Sequence, residues 1–282
     1  MTCVDVMDME QTIFMRSSFC RGHQNAALLS NDSDVSLKHP WQTWVLMTLY
    51  GVWNSQNGSE KPPVIDFDHE KREIAEPYVC IASLASGGCK LWLNPDGWDE
   101  VCIFLKKCGY RVIDIDANPY MRYNYNVMRI PREAENFTGC GEGKKIADRA
   151  AMINHADFFI GLGSGLSWVA WAVRKPVVLI SGFSLPFCEF HTPYRVINTH
   201  VCHGCFNDTS LSFDNKAAFW CPRQKEERMK MVCSMSITST QVINKILQIT
   251  EFNAHMQAAG LEVVTTKNGF NVQKKKISDI NS

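Results

Sequence analysis

The stretch FFIGLGSGLSWVAWAV, residues 158–173, decides the fold. Phe158, Phe159, Ile160 and Leu162 make an apolar run of the length expected for a strand buried on both faces. The segment Gly161-Leu162-Gly163-Ser164-Gly165 then turns the chain, and Leu166, Val169, Ala170 and Val173 recur at helical spacing. Strand, glycine turn and helix in that order are half of a βαβ unit. Downstream, Pro176 precedes a further strand, VVLIS at residues 177–181. Upstream, YVCIAS at 78–83 and YRVIDI at 110–115 read as strands, separated by a helix through Trp98, Val101, Cys102 and Leu105. Lys144 to Asn154 reads as another helix through Ile146, Ala150 and Ile153. Such alternation predicts an α/β fold: a Rossmann-like parallel sheet with helices on both faces over residues 77–200.

The rest of the chain bounds this core. Of 282 residues, 45% are hydrophobic, and 29 Lys+Arg balance 29 Asp+Glu. That composition belongs to a folded protein, and at roughly 150 residues per domain it allows one large or two small domains. Zero net charge and no basic stripe argue against a nucleic-acid partner. Neither long uncharged stretch, 39–59 or 158–173, offers the ~20 apolar residues of a membrane span. Twelve cysteines in a chain of this length, with no charged-then-apolar leader, predict a reducing, cytoplasmic setting. Residues 1–76 read as an N-terminal arm and linker, with a helix at Trp41 to Trp53 and turn chemistry in NSQNGSEKPP at 54–63. A helix at Thr240 to Ile249 ends the nucleotide-binding domain at 77–250, and 251–282 reads as a polar, disordered tail.

Four groups of residues carry candidate chemistry. In the glycine turn, Ser164 and Gly165 offer backbone N–H groups at the positive end of a helix, which is how a phosphate is held. A tight turn that needs small residues only for packing is the plainer alternative. Leu166 stands where the third glycine of a dinucleotide fingerprint would fall, so NAD is disfavoured. Lys90, in LASGGCKLWLN after the first strand, is placed to pair with a phosphate, or else is an ordinary surface lysine. Glu133 and Glu135 in IPREAENFTG (130–139), or Asp114 and Asp116 at the end of the second strand, are competing acceptors for ribose or sugar hydroxyls.

The fourth group is Cys202-x2-Cys205-x15-Cys221-x11-Cys233. A CxxC knuckle followed by two further cysteines is the pattern of a closed four-thiolate metal site, structural rather than catalytic. Core thiols plus a redox pair, or His200 or His203 in place of one ligand, are the alternatives, and spacing does not choose zinc from iron. Cys80, Cys102 and Cys108 are expected to pack as small apolar residues. His191 is the histidine expected near the cleft, after the last sheet strand.

Taken together, residues 156–173 and 176–183, YVCIA at 78–82, KLWLNPDGW at 90–98, EFHTPYRVIN at 189–198 and WCPR at 220–223 closely resemble the bacterial autotransporter heptosyltransferases. The resemblance covers roughly residues 60–250. It implies a GT-B glycosyltransferase whose second Rossmann-like domain binds the nucleotide-sugar donor, transferring heptose from ADP-heptose to serine hydroxyls of an adhesin in the cytoplasm. It further implies a ferric ion, one per chain, on Cys202, Cys205, Cys221 and Cys233, with zinc as the alternative, and a large ring-like homo-oligomer. Lys90 would contact the donor diphosphate, Glu135 would be the acidic donor-site residue, and Ser164 and Gly165 would place N–H groups on the diphosphate. Two departures stand out. Arg132 and Glu133 occupy the place of a small turn-forming pair. The family's general base lies in an N-terminal acceptor domain that residues 1–40 are too short to form, so no catalytic residue is assigned. Two functions follow: a protein O-heptosyltransferase, or a donor-binding and oligomerisation module without the base.

Overall fold

In the computed structural model, residues 71–137, 146–208, 210–214, 216–267 and 269–275 are described. The helix expected at Trp41 to Trp53, the linker at 54–63, Thr138, Gly139 and Cys140 lie outside them. Ten strands and six α-helices are described: β1 (Tyr78–Ala82), α1 (Gly97–Lys107), β2 (Arg111–Asp114), β3 (Tyr120–Tyr123), β4 (Asn126–Arg129), β5 (Glu135–Asn136), α2 (Ile146–His155), β6 (Phe159–Leu162), α3 (Gly165–Ala172), β7 (Val177–Ile180), β8 (Arg195–Val196), α4 (Val232–Met235), α5 (Ser239–Ile246), α6 (Thr250–Ala258), β9 (Leu261–Thr266) and β10 (Gly269–Lys274).

Six strands form one sheet in the order β5-β2-β1-β6-β7-β8, every pair parallel. Counted along the chain, these strands stand in the order 3-2-1-4-5-6 of a doubly wound nucleotide-binding sheet. Alternation sorts their side chains. Val79, Ile81, Val112, Ile160, Leu162, Val178 and Ile180 face α1, α5 and α6 in one core. Tyr78, Cys80, Ala82, Ile113, Phe159, Val177 and Leu179 face α2 and α3 in the other. Because both faces are covered, the strands read as continuous apolar runs rather than as alternating ones.

Local chemistry sets the helix ends. Thr238 Oγ1 accepts from the Gln241 N–H at 3.2 Å while Gln241 Oε1 accepts from the Thr238 N–H at 2.8 Å, a reciprocal capping box that starts α5. At the start of α1, Gly97 is required by close approach, since a Cβ there would lie 2.4 Å from the Trp92 ring. Trp92 is itself fixed by its Nε1–H, which donates to Ile237 O at 2.9 Å.

Two hairpins were not anticipated. β3 and β4 pair antiparallel between β2 and β5. More consequentially, the polar tail expected from residue 251 is instead ordered secondary structure as far as Lys274: α6 buries Phe252 and Met256, and β9 pairs antiparallel with β10. Its polar composition misleads because only one side of each element packs, through Leu261, Val263, Phe270 and Val272, against the core. Among the described residues no helix is long and apolar enough to cross a membrane.

Candidate functional site

The sheet changes direction between β1 and β6, and ligands of such sheets bind beyond the carboxyl ends of the strands at that point. Three features meet there: the loop after β1, a buried acid pair after β2 and the glycine turn after β6. The acid pair holds the loop. Asp116 Oδ2 accepts from the Ser83 and Leu84 N–H groups, both at 2.8 Å, and Asp114 Oδ2 accepts from Ser83 Oγ at 2.7 Å. Asp114 Oδ1 in turn accepts the Asp116 N–H at 3.0 Å. Burial pushes Asp114 up to about 6, the hydrogen bonds opposing it, and burial with the Asp114 charge pushes Asp116 well above the usual carboxylate range. These two aspartates are thereby engaged with protein groups, and what they do is fix the backbone at Ser83 and Leu84.

The glycine turn is shaped by close approach. None of Gly161, Gly163 and Gly165 has a positive φ. A Cβ on Gly161 would lie 2.6 Å from Ser167 Oγ, and one on Gly163 would lie 2.1 Å from Glu189 Oε1. Packing therefore accounts for both glycines, as the plainer alternative holds, yet the helix end they create stays available. Ser164, the N-cap of α3, is extended at φ −139° and makes no capping hydrogen bond with its side chain. Ser167 Oγ turns inward to donate to Leu162 O at 2.6 Å. The Ser164 N–H is spent within the turn, donating to Leu162 O at 2.6 Å, so the amino end of α3 offers its positive dipole and the N–H groups from Gly165 onward at the switch point.

The sequence-predicted residues divide. Ser164 and Gly165 sit at the switch point. Lys90 ends a short 3-10 turn, Gly88–Lys90, on the β1 loop, and makes no ion pair among the described residues. Glu135 stands in β5 at the sheet edge, where Arg111 grips it through two hydrogen bonds, Nε to Oε1 at 3.0 Å and Nη2 to Oε2 at 2.6 Å. The Arg111 hydrogen bonds hold its carboxyl below the usual range. Glu133 pairs with Lys106 and Arg132 with Asp99, so the two residues in place of a small turn pair tie β5 to α1. His191 is not near the switch point: with Trp171, Lys175 and Tyr194 it lines a shallow pocket around Val177, at the amino end of β7. A position after β7 in sequence misleads because the chain returns to the opposite edge before entering β8.

The cysteine segment packs over the carboxyl edge. Gly204 N–H donates to Gly182 O at 2.9 Å, Phe206 N–H to Phe183 O at 3.1 Å, and Cys89 N–H to Ala218 O at 3.1 Å. Phe183, Trp220, Cys221 and Met231 form a third apolar cluster with Cys89 of the β1 loop. Cys202 is exposed, Cys205 half-buried, Cys221 and Cys233 buried, and all four are free thiols. Burial, with Cys233, Cys221 and Cys202 adding to it, pushes the Cys205 thiol up to about 12. Burial and the nearby Cys202 and Cys221 push Cys233 up to about 11. Thiols are soft donors, and a cation among these four would favour their thiolate forms. Among the described residues, however, no group of three or more His, Cys, Asp or Glu side chains is arranged so that it could hold a metal ion. Cys80, Cys102 and Cys108 are fully buried, as small apolar residues are.

Two residues escaped the reading of the sequence. Glu189 and Arg195 form a buried ion pair beside Gly163. The available signal was two charges six residues apart in an otherwise uncharged segment, FCEFHTPYRV.

Fold and site together define a doubly wound α/β domain with a glycine turn at its switch point. The chain belongs to glycosyltransferase family 9 (heptosyltransferase), whose model matches residues 53–211. It is 47% identical over 200 residues to the autotransporter heptosyltransferase BAHTCr of Citrobacter rodentium, covering 71% of this chain and 47% of the relative. It is similar to the crystal structure of TibC, a bacterial iron-containing dodecameric glycosyltransferase from enterotoxigenic E. coli H10407, with a TM-score of 0.60 and 49% identity over 64% of this chain and 47% of that one. TibC has also been solved in complex with ADP-D-β-D-heptose. A further relative, 38% identical over 67% of this chain and 44% of its own length, is the inactive autotransporter heptosyltransferase BimC of Burkholderia thailandensis. The chain spans about half the length of these relatives.

Proposed function

We propose that this chain is the donor-binding part of a GT-B protein O-heptosyltransferase, one that transfers heptose from ADP-heptose to serine hydroxyls of an autotransporter adhesin in the cytoplasm. The observation that carries this reading is the open amino end of α3 at the switch point, in a chain 49% identical to a protein solved with ADP-D-β-D-heptose. Gly165 donates its N–H to the diphosphate, Ser164 joins it by exchanging Leu162 O for a phosphate oxygen, and Lys90 supplies a countercharge. Glu135 is the acidic donor-site residue that the resemblance to the autotransporter heptosyltransferases implies.

Cys202, Cys205, Cys221 and Cys233 hold one ferric ion per chain, with zinc as the alternative. A closed four-thiolate ion supplies a crosslink and leaves no open position for substrate. Because this segment is bonded to Gly182 and Phe183 and packed on Cys89, the crosslink steadies the loops on both sides of the switch point. The chain assembles as a homo-oligomer, as the dodecameric TibC does.

Calorimetry with ADP-heptose tests the donor site. Binding by the parent chain is expected, with Lys90→Ala weakening it about tenfold or more, the loss of one charge-assisted contact. No binding by the parent overturns the reading. A second reading, a donor-binding and oligomerisation module without turnover, is favoured by the likeness to the inactive BimC. Heptose transfer to an adhesin distinguishes the two. Product supports the enzyme, and binding without product supports the module.

A further inference from the structure

The buried ion pair beside the glycine turn has a specific consequence for an anionic ligand. Glu189 and Arg195 side chains are only 5% and 10% exposed. Arg195 Nη1 donates to Glu189 Oε2, and Arg195 Nη2 donates to Phe190 O at 2.9 Å and to Pro186 O at 3.4 Å. The other carboxylate oxygen, Oε1, accepts from Ser184 Oγ at 2.7 Å. That same oxygen lies so close to the Gly163 backbone that a Cβ there would be 2.1 Å away. A carboxylate therefore stands against the turn that leads into the amino end of α3. Alone it would repel a phosphate across a short path of low dielectric.

We infer that Glu189 and Arg195 are positioning residues for the donor site: Arg195 cancels the charge of a carboxylate that shapes the turn at Gly163, and so keeps the turn able to accept a diphosphate. Three placements converge on this. Arg195 is carried by β8, opposite Leu179 of β7, so the guanidinium is anchored in the sheet rather than on a loop. Its bonds to Phe190 and Pro186 carbonyls fix the approach to Glu189 from the side away from Gly163. Ser184 occupies Oε1, which orients the carboxyl plane against the turn. Glu189 thus defines the turn sterically and Arg195 makes that carboxylate electrically silent. The inference rests on the reading of the β6 turn as the diphosphate site.

The test compares ADP with adenosine, measured by calorimetry on the full 282-residue chain and its variants. Arg195→Gln is expected to weaken ADP about tenfold or more while leaving adenosine within about threefold, because only the phosphates meet the bared carboxylate. Adding Glu189→Gln to it removes the charge and is expected to restore ADP to within about threefold of the parent. Parallel loss of ADP and adenosine, an Arg195→Gln chain that binds ADP like the parent, or a double variant that is not restored, each overturns the inference. Should Arg195→Gln fail to fold, Glu189→Gln and the neutral double variant carry the test: both are expected to bind ADP within about threefold of the parent, and a tenfold loss in either overturns it. Absence of ADP binding in the parent removes the donor-site reading and this inference together, whereas parent binding with unimpaired Arg195→Gln removes this inference alone.

Discussion

The sheet core at residues 78–196 and the cysteine segment at 202–233 lie against each other, yet they are held by different forces. In the core, β1, β6 and β7 are buried along their whole length, and each face is closed by helices. The cysteine segment has one 3-10 turn and the four-residue α4, its apolar cluster is small, and two of its thiols are pushed to about 11 and 12. The contrast teaches that hydrophobic burial does more for the first region than for the second. A segment with few ladder bonds and few buried side chains has less to offset its chain entropy, and the proposed metal would supply a crosslink there.

Removing the metal is the strongest way to break this contrast. Purified protein is expected to carry about one metal ion per chain by elemental analysis. Cys221→Ser or chelation should then cost several kcal/mol of stability or solubility, since binding energy is folding energy at structural sites, about 10–16 kcal/mol in small zinc peptides. An unchanged unfolding curve, or metal-free protein of full stability, would show that the segment stands on packing alone. A core substitution should behave oppositely. Phe159→Ala, at a fully buried ring, is expected to cost about 3–5 kcal/mol whether or not chelator is present. Dependence of that loss on chelator would mean that the two regions unfold as one.

The smallest expected effect concerns the acid pair at the core's own functional edge. Burial raises Asp114 to about 6, above the unfolded value near 4, so the folded state holds its proton more tightly. The stability this confers is complete below about pH 4 and is lost as pH rises through about 6. Asp114→Asn should flatten unfolding free energy over that window by about 1 kcal/mol or more, read from denaturant titrations at several pH values. An identical pH profile in the variant would show that Asp116, its partner in the pair, sets the dependence, since Cys80, Cys102 and Tyr123 beside the pair are pushed far above this window and Arg149, which bonds Ile115 O, stays charged.

Strand and helix order were legible because both faces of this sheet are covered, which turns each strand into a plain apolar run, as at Tyr78–Ala82 and Val177–Ile180. The β9–β10 hairpin was not, because LEVVTT and GFNVQK bury only part of one side and their turn residues are polar. At the site, Ser164 and Gly165 were legible from the strand–glycine–helix pattern alone. Glu189 and Arg195 were not, because their significance lies in a contact with Gly163, 26 residues earlier than Glu189 in the chain. His191 was misplaced for a related reason: sequence order after a strand does not say at which edge of the sheet the chain next arrives.

Local patterning along the chain encodes three features of this protein. These are the alternation of buried strands and amphipathic helices, the glycine turn with its helix, and a four-cysteine spacing. Hydrophobic period and turn chemistry act over a few residues, so they can be read without coordinates. Only the tertiary structure decided the strand order that puts β1 beside β6, and with it the position of the glycine turn at the switch point. It also decided which glycines answer to packing, which acids are buried together, and which carboxylate stands against the turn. Those are long-range juxtapositions, fixed by how two cores close over the sheet.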